Sequence, residues 1–534
     1  MMPVCELGSL PELVRHAATE FGESLALDRV GRSGNGLTYN QLLDSMRRGS
    51  STLRALDLRA GDRVLLVSEP RPEWAAAFFA ILDAGLIAVP IPADTPPETV
   101  AGIASHAEAR GTIFSDSTQG VAAAVDGIAL IPIDGLFETN AASPEGSANI
   151  EQELAVLAFT SGSTSQPRAV ELTHGNLLSN LSALLEVRRA GPSDALLSML
   201  PPAHLFELMV GLLGPLACGA RVVYSGPLLP NRIIEALREQ QITHALAVPA
   251  LVDFLYQEVL SQLVEAGVVD PKHRGQSPAE TARRIQSEFT EDQLQETRQA
   301  VRSQIGTAFR TLIVGGAAIS TSMARVLAAM RIRLEVGYGL TETSPVVSLG
   351  LADECPIGSV GRPLPGVEVR VDQSGEILVR GSNVMRGYFK DPQTTAATLN
   401  DGWLRTGDHG RLDTDGYLFV TGRFKEAMVT AAGETIYPDE VEPHYESPLF
   451  TELCVTALRG EDGNDVPTLF VVSASPELPD EELRKLFASL RASAPARFRV
   501  EQWIRLNNAL PRTASGKIRR RLLARQFNNR EEQT

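Results

Sequence analysis

The stretch FTSGSTSQPRAVELTHGN, residues 159–176, sets short hydroxyls and glycine around one proline and one arginine, directly behind the apolar run at 154–157. Glycine lets a backbone approach an oxyanion closely, and successive N–H groups with short hydroxyls form an anion-binding concavity, so a phosphate cradle is one reading. A solvated Ser/Thr/Gly loop is the other. No Walker pattern G-x-x-x-x-G-K-[ST] is present. Glu342, in GYGLTETSP, is either a first-turn carboxylate favoured by a helix dipole or a hard oxygen ligand for magnesium beside substrate phosphates. Tyr338, between two glycines, is a strand-end aromatic or a face on which a flat base stacks. Asp408, in GWLRTGDHG, bonds its own turn or accepts from vicinal ribose hydroxyls. Arg423, in GRFKEAM, is a surface charge or a ligand clamp. Lys517, in PRTASGKIRRRLL, belongs to a basic tail with Arg519, Arg520, Arg521 and Arg525, or meets an oxyanion as a point charge on a Gly-bearing loop ahead of a helix. His204, in LPPAHLFEL, is a core histidine or lines the entry for an apolar acid. The chain shows no Ser/His/Asp triad and no G-x-S-x-G elbow, which argues against acyl-serine chemistry.

The elements that must position these residues come from a chain of 534 residues, 43% hydrophobic, long enough for two or more domains. Its 49 basic and 65 acidic side chains give a formal charge of -16, a field that repels phosphodiester backbones and argues against a nucleic-acid partner. Cys5, Cys218, Cys355 and Cys454 show no C-x-x-C or zinc spacing, as expected of a reduced compartment. The start, MMPVCELGSLPELVRH, has no basic segment followed by an apolar one, so the expected location is cytoplasmic. The most apolar window, LMVGLLGPLACGA at 208–220, is too short to span a bilayer and contains Pro215; a buried helix is expected there, and no transmembrane segment.

From Gly61 the text alternates strand-like and helix-like runs, DRVLLVS, PEWAAAFFAILDAG and IAVPI, and the rhythm returns in ARVVYSG, NRIIEALREQ and THALAVP. Both read as βαβ units with parallel sheets. Residues 266–309 read as a charged, solvated helical excursion with capping-type Ser and Thr. FRTLIVGGAAIS and RLEVGYGLTETSP read as strands ending in glycine-bearing loops, where open α/β sheets place ligands. Residues 357–420 read as an antiparallel meander, and the part after about residue 424 as a small α+β domain.

In this order, FTSGSTSQPRAVELTHGN, GYGLTETSP, GWLRTGDHGRL, GYLFVTGRFKEAM and PRTASGKIRRRLL resemble the motifs of the adenylate-forming superfamily of acyl-CoA synthetases, adenylation domains and luciferases. The resemblance runs over nearly the whole chain and is closest in look to medium- and long-chain fatty acyl-CoA synthetases. It implies an α/β fold: a large N-terminal domain, 1–423, of two doubly wound α/β subdomains plus a β-barrel subdomain, and a small mobile C-terminal α+β domain, 424–534. It implies ATP, magnesium and coenzyme A, or a carrier protein's phosphopantetheine, as cofactors, with a small carboxylic acid as partner. The acid attacks the α-phosphate to give acyl-AMP, and a thiol then takes the acyl group. A fatty acyl-AMP ligase serving a carrier protein, or a degenerate member that only binds, are the alternatives.

By the same resemblance Thr160, Ser161, Gly162, Ser163, Thr164 and Arg168 hold the β and γ phosphates. Gly315, Gly316 and Ala317 wall the adenine, with Tyr338 stacked on it beside Gly339. Asp408 and Arg423 hold the ribose, Thr341 the phosphate region, and Glu342 the magnesium. Lys517 bridges carboxylate and α-phosphate, His204 lines the acid entry, Lys425 is the hinge, and Gly433 lets the pantetheine arm pass. Ser165 and Ala169 stand at two positions where the family loop has glycine, and Arg168 replaces its lysine while keeping the charge. The resemblance puts no aspartate at the one position, close to Ala250, where amino-acid-activating members hold an α-amino group, so an apolar, fatty acid is expected.

Overall fold

The run RVLLV forms the strand Arg63–Val67, PEWAAAFFAILD the helix Pro72–Asp83 and IAVPI the strand Ile87–Ile91, and the two strands pair in parallel. Pro72 suits the first helical turn, where its missing N–H has no intrahelical partner to lose. Every residue of that helix except Glu73 is buried, which its all-round apolar sequence dictates. The structure, a computed structural model, describes residues 4–31, 36–125, 127–138, 152–160, 168–188, 190–226, 230–247, 249–265, 267–269, 278–315, 321–351, 354–356, 358–429, 434–447, 449–460, 465–512 and 518–531. A seven-stranded sheet runs in the order Gly387–Tyr388, Arg168–Thr173, Leu154–Thr160, Ile87–Ile91, Arg63–Val67, Ala109–Phe114, Ala129–Pro132.

The second βαβ unit is wound differently from its sequence order. Its strands Arg221–Tyr224 and His244–Ala247 are not neighbours, because Ala195–Ser198 lies between them and pairs in parallel with both. The chain leaves that middle strand on one side and then crosses to the other. Such switch points, outside the carboxyl ends of the strands, are where open α/β sheets bind ligands. The nine-stranded sheet continues in parallel through Thr311–Gly315 and Arg333–Gly339, then returns antiparallel through Val346–Leu351 and Arg362–Pro363. The charged excursion forms Pro278–Glu288 and Glu291–Ile305 and is less solvated than its composition suggests, because Ile285, Leu294, Val301 and Ile305 enter the core under this sheet. Residues 208–220 are buried as expected, but the helix there is Glu207–Leu213, which is π-helical, followed by Gly214–Ala217, and it stops before Cys218. Among the described residues no helix is long and apolar enough to cross a membrane.

The meander is a five-stranded antiparallel sheet built from Glu368–Val371, Glu376–Arg380, Leu399–Asn400, Trp403–Leu412 and Leu418–Arg423. It departs from expectation at Gly387–Tyr388, which leaves the meander and joins the edge of the seven-stranded sheet, Tyr388 opposite Val170. Further on, Phe450–Arg459, Asp465–Ser473 and Gln502–Leu506 make a three-stranded sheet. Alternation along Asp465–Ser473 sends Leu469 and Val471 to one core and Phe470 to another, and neither core draws a buried residue from before Met428. The terminal helix Arg520–Glu531 is tied to the segment 425–442: Arg520 pairs with Glu426, Asp439 and Glu442 at 3.2, 3.0 and 2.9 Å, and Arg521 donates to the Lys425 carbonyl at 3.0 Å.

The strand Arg333–Gly339 reverses through the 3-10 turn Thr341–Thr343 into Val346–Leu351. Only glycine fits at 339, since a Cβ there would lie 1.8 Å from the Pro345 carbonyl oxygen. That oxygen accepts from the Leu340 N–H at 3.0 Å and from the Thr343 hydroxyl at 2.8 Å. Asn180, fully buried on the helix His174–Val187, donates to the Val346 carbonyl at 2.6 Å and accepts from the Val346 N–H at 3.1 Å. Asn180→Ala leaves both backbone groups buried and unpaired and is expected to cost about 2–4 kcal/mol. Urea unfolding followed by tryptophan fluorescence measures this; a loss below about 0.5 kcal/mol would show that the turn is held by other contacts.

Candidate active site

The Thr341–Thr343 turn is gripped from one side by the segment 381–388. Asn383 donates its Nδ2 to the Thr343 carbonyl at 2.9 Å, and the Met385 N–H donates to the Glu342 carbonyl at 2.8 Å. Three residues on, the Tyr388 hydroxyl donates to Glu342 Oε1 at 2.8 Å. Arg168 lies with its guanidinium 5.5 Å from the centre of the Tyr388 ring. Thr160 and Arg168 face each other as register partners at the open end of their strand pair. The fold therefore brings Thr160, Arg168, Thr341 and Glu342 to one place, with Tyr388 joining the last to the arginine.

A second set forms around Tyr338. Its side chain is buried and its hydroxyl donates to Asp408 Oδ2 at 2.7 Å, while Arg423 Nε stands 3.1 Å from Asp408 Oδ1. Burial of the Tyr338 ring and the adjoining Asp408 charge push its phenol well above the usual range, so it remains a donor. Partial burial works against Arg423, yet Asp408, followed by Glu426, Tyr338 and Glu342, holds its guanidinium above the ordinary value. Asp408 and Arg423 are register partners across the strands Trp403–Leu412 and Leu418–Arg423, which is why the pair is fixed. Gly315 packs flat against Phe206: a Cβ would meet that ring at 3.1–3.2 Å. Gly339 serves the reversal described above.

His204 leads into the π-helical turn, and its Nε2 is buried without a hydrogen-bond partner. Burial lowers its imidazole pKa, with Asp94 acting the other way. Sequence reasoning passed over Glu207, three residues on and 1% exposed, with neither carboxyl oxygen in a hydrogen bond. The Ser198 and Tyr224 hydroxyls are also buried and unpartnered, and these two residues are opposite each other at the carboxyl ends of their strands. Gly211 makes room for the carboxyl, since a Cβ there would come within 2.3 Å of Glu207 Oε1. Glu207 reads in the sequence as a helix-surface acid, and π-helical turns give no period to reveal it. Tyr388 was equally invisible, absorbed into the meander.

Lys425 is exposed in the 3-10 turn Phe424–Glu426, its carbonyl held by Arg521. Ser161, Gly162, Ser163, Thr164, Gly316, Ala317, Gly433 and Lys517 lie outside the described residues, as does Ser165. Arg512 and Ile518, which flank 513–517, form a β-bridge on the carboxy-terminal unit. Among the described residues no group of three or more His, Cys, Asp and Glu side chains could hold a metal ion by itself. A magnesium ion at Glu342 therefore fits only in company with phosphate oxygens, which is how magnesium is commonly held, through one or two carboxylates plus substrate.

A family model described as AMP-binding enzyme matches residues 14–389. The chain is similar to a feruloyl-CoA synthase of Amycolatopsis sp, 29% identical over 514 residues that cover 93% of this chain and 95% of that protein. It is similar to the long-chain-fatty-acid–CoA ligase FadD15 of Mycobacterium bovis, 28% identical over 459 residues that cover 78% of this chain and 75% of that protein. The solved structure of the anthranilate CoA ligase AuaEII in complex with anthranoyl-AMP superposes with a TM-score of 0.81 at 19% identity, over 98% of both chains. That likeness speaks for the fold.

Burial pushes the Glu207 carboxyl up to about 8, against the smaller opposing pull of Ser198 and the Leu200 backbone, so it is protonated at neutral pH. A carboxyl whose pKa rises on folding lends stability that is full below its unfolded value and is lost as pH climbs through the folded one. Glu207→Gln, neutral throughout, is expected to escape this loss. Between about pH 6 and about pH 9 the wild-type melting temperature should fall a few degrees further than that of the variant. Parallel declines would contradict a buried, protonated Glu207.

Proposed function

Because the chain belongs to the AMP-binding enzyme family, we propose that it is an ATP-dependent acid–thiol ligase, joining a carboxylic acid to AMP with release of pyrophosphate and passing the acyl group to coenzyme A. The observation that carries this reading is that the Arg168, Tyr388 and Glu342 set adjoins the Tyr338, Asp408 and Arg423 set: Tyr338 and Glu342 lie on consecutive elements, and the Glu342 charge acts on Arg423. The first set has the charges to hold phosphates and the second to hold a nucleoside. Attack by a carboxylate on the α-phosphate brings like charges together, and preorganised cations must offset that. Arg168, with Thr160 and the hydroxyls that follow it in sequence, holds the β and γ phosphates. Thr341 bonds the phosphate region and Glu342 holds magnesium, which when bound neutralises phosphate charge. The Tyr338 ring supports the adenine, and Asp408 exchanges its present partners for ribose hydroxyls.

Residues 424–534 form the domain that moves, turning about Lys425. In one position it offers Lys517 between carboxylate and α-phosphate; in the other it offers the segment around Gly433 to the pantetheine arm. The acid is apolar and most fittingly a fatty acid. His204 is followed directly by Leu205, Phe206 and the wholly buried turn Glu207–Leu213, apolar but for Glu207, and FadD15, by its name, acts on long-chain fatty acids. The cytoplasm, where ATP and coenzyme A are found together, is the compartment we assign.

Lys517→Ala is expected to slow acyl-AMP formation on the order of 10²–10³-fold while leaving conversion of synthetic acyl-AMP to thioester nearly intact. Single-turnover assays of each half-reaction read this, and equal loss of both would contradict the division of labour. In the same assay free coenzyme A should be acylated. Loading of a phosphopantetheinylated carrier protein with no acyl-CoA product would replace this reading with a carrier-loading ligase.

A further inference from the structure

Glu342 is held twice by the segment 381–388, once through its backbone by Met385 and once through its side chain by Tyr388. The two holds are separable, because only the second depends on a side chain. Tyr388 reaches the site by leaving the meander for the edge of the seven-stranded sheet, where it is 7% exposed. Its register partner is Val170, so Arg168 is its diagonal neighbour, the position from which a long side chain reaches an aromatic ring. A guanidinium stacks on such a ring as a flat cation in a way that an ammonium does not. The Tyr388 hydroxyl lies 2.8 Å from Glu342 Oε1, and because a carboxylate can only accept, the phenol is the donor.

We propose that Tyr388 is a positioning residue: its hydroxyl fixes the Glu342 carboxylate in the orientation that takes magnesium, while its ring seats Arg168 beside the phosphates. This rests on the reading of Glu342 as the magnesium carboxylate. A ligating carboxylate held by a hydrogen bond loses no rotamer freedom on binding, and removing such a supporting bond weakens metal affinity about 10–100-fold. Here a single carboxylate shares the ion with phosphates, so the lower end of that range applies.

Tyr388→Phe keeps the ring, the stacking surface and every backbone contact while deleting the hydroxyl. Isothermal titration of the full-length protein with ATP, once with excess magnesium chloride and once with a chelator, separates metal-linked from nucleotide binding without needing an acid or turnover. Tyr388→Phe should weaken magnesium–ATP binding about tenfold and change metal-free ATP binding less than about twofold. Glu342→Gln alone should show the same metal-selective loss, and adding Tyr388→Phe to it should cause little more, as expected of residues that act through one another. Equal losses with and without magnesium, or losses that multiply in the double variant, would overturn the proposal. If Glu342→Gln shows no metal-selective loss, the reading of Glu342 itself falls; if it does and Tyr388→Phe does not, only the role of Tyr388 falls. Matching melting temperatures of wild type and Tyr388→Phe exclude misfolding as the cause.

Discussion

A carboxylate that attacks a triphosphate must approach a group of its own sign. At about 4 Å two unit charges near a protein surface repel by roughly 4 kcal/mol, and a triphosphate carries several. The architecture serves the offsetting of that repulsion. Arg168 comes from the seven-stranded sheet, Glu342 from the return of the nine-stranded sheet, and Arg423 from the meander. No single element could place Arg168, Glu342 and Arg423 together. The small strand Gly387–Tyr388, which belongs by sequence to the meander and by pairing to the seven-stranded sheet, links these layers where their charges meet.

The same constraint explains which groups are left polar inside. Asp408 is 3% exposed, yet both its oxygens are engaged, by Tyr338 and Arg423, so its charge is held without isolation. Glu207 has only the weaker pull of Ser198 and the Leu200 backbone against its burial, and keeps its proton. One buried carboxylate thus has a partner on each oxygen, and the other stays neutral within the apolar turn. At the far end of the chain Arg520 meets three acids, and with Arg521 it fastens the terminal helix to the turn that contains Lys425. That helix begins three residues after Lys517 in the sequence.

Much of this was legible in the sequence where local physics dominates. Arg63–Val67, Pro72–Asp83 and Ile87–Ile91 have clean apolar patterns and a proline start, and they fold as read. Motif residues were legible as types: a glycine at 339 and an arginine at 168 announce tight backbone and positive charge. Pairings were not. Tyr338 and Asp408 are 70 residues apart, and nothing local says that one hydroxyl would occupy the other's carboxylate. A strand as short as Gly387–Tyr388 has no period to read, and its partner lies in a distant motif. Glu207 looks like any helix-surface acid, because burial is decided by what packs over it. The order of Arg221–Tyr224 and His244–Ala247 around Ala195–Ser198 is likewise a property of the sheet rather than of either segment.

The central claim is that these groups bring an acid and ATP together to make a mixed anhydride. Incorporation of labelled pyrophosphate into ATP, measured across acids of graded chain length, tests it most directly, because it reports reversal of that one step. The account predicts incorporation that depends on added acid and rises with apolar chain length to an optimum. Incorporation that no acid stimulates would contradict it.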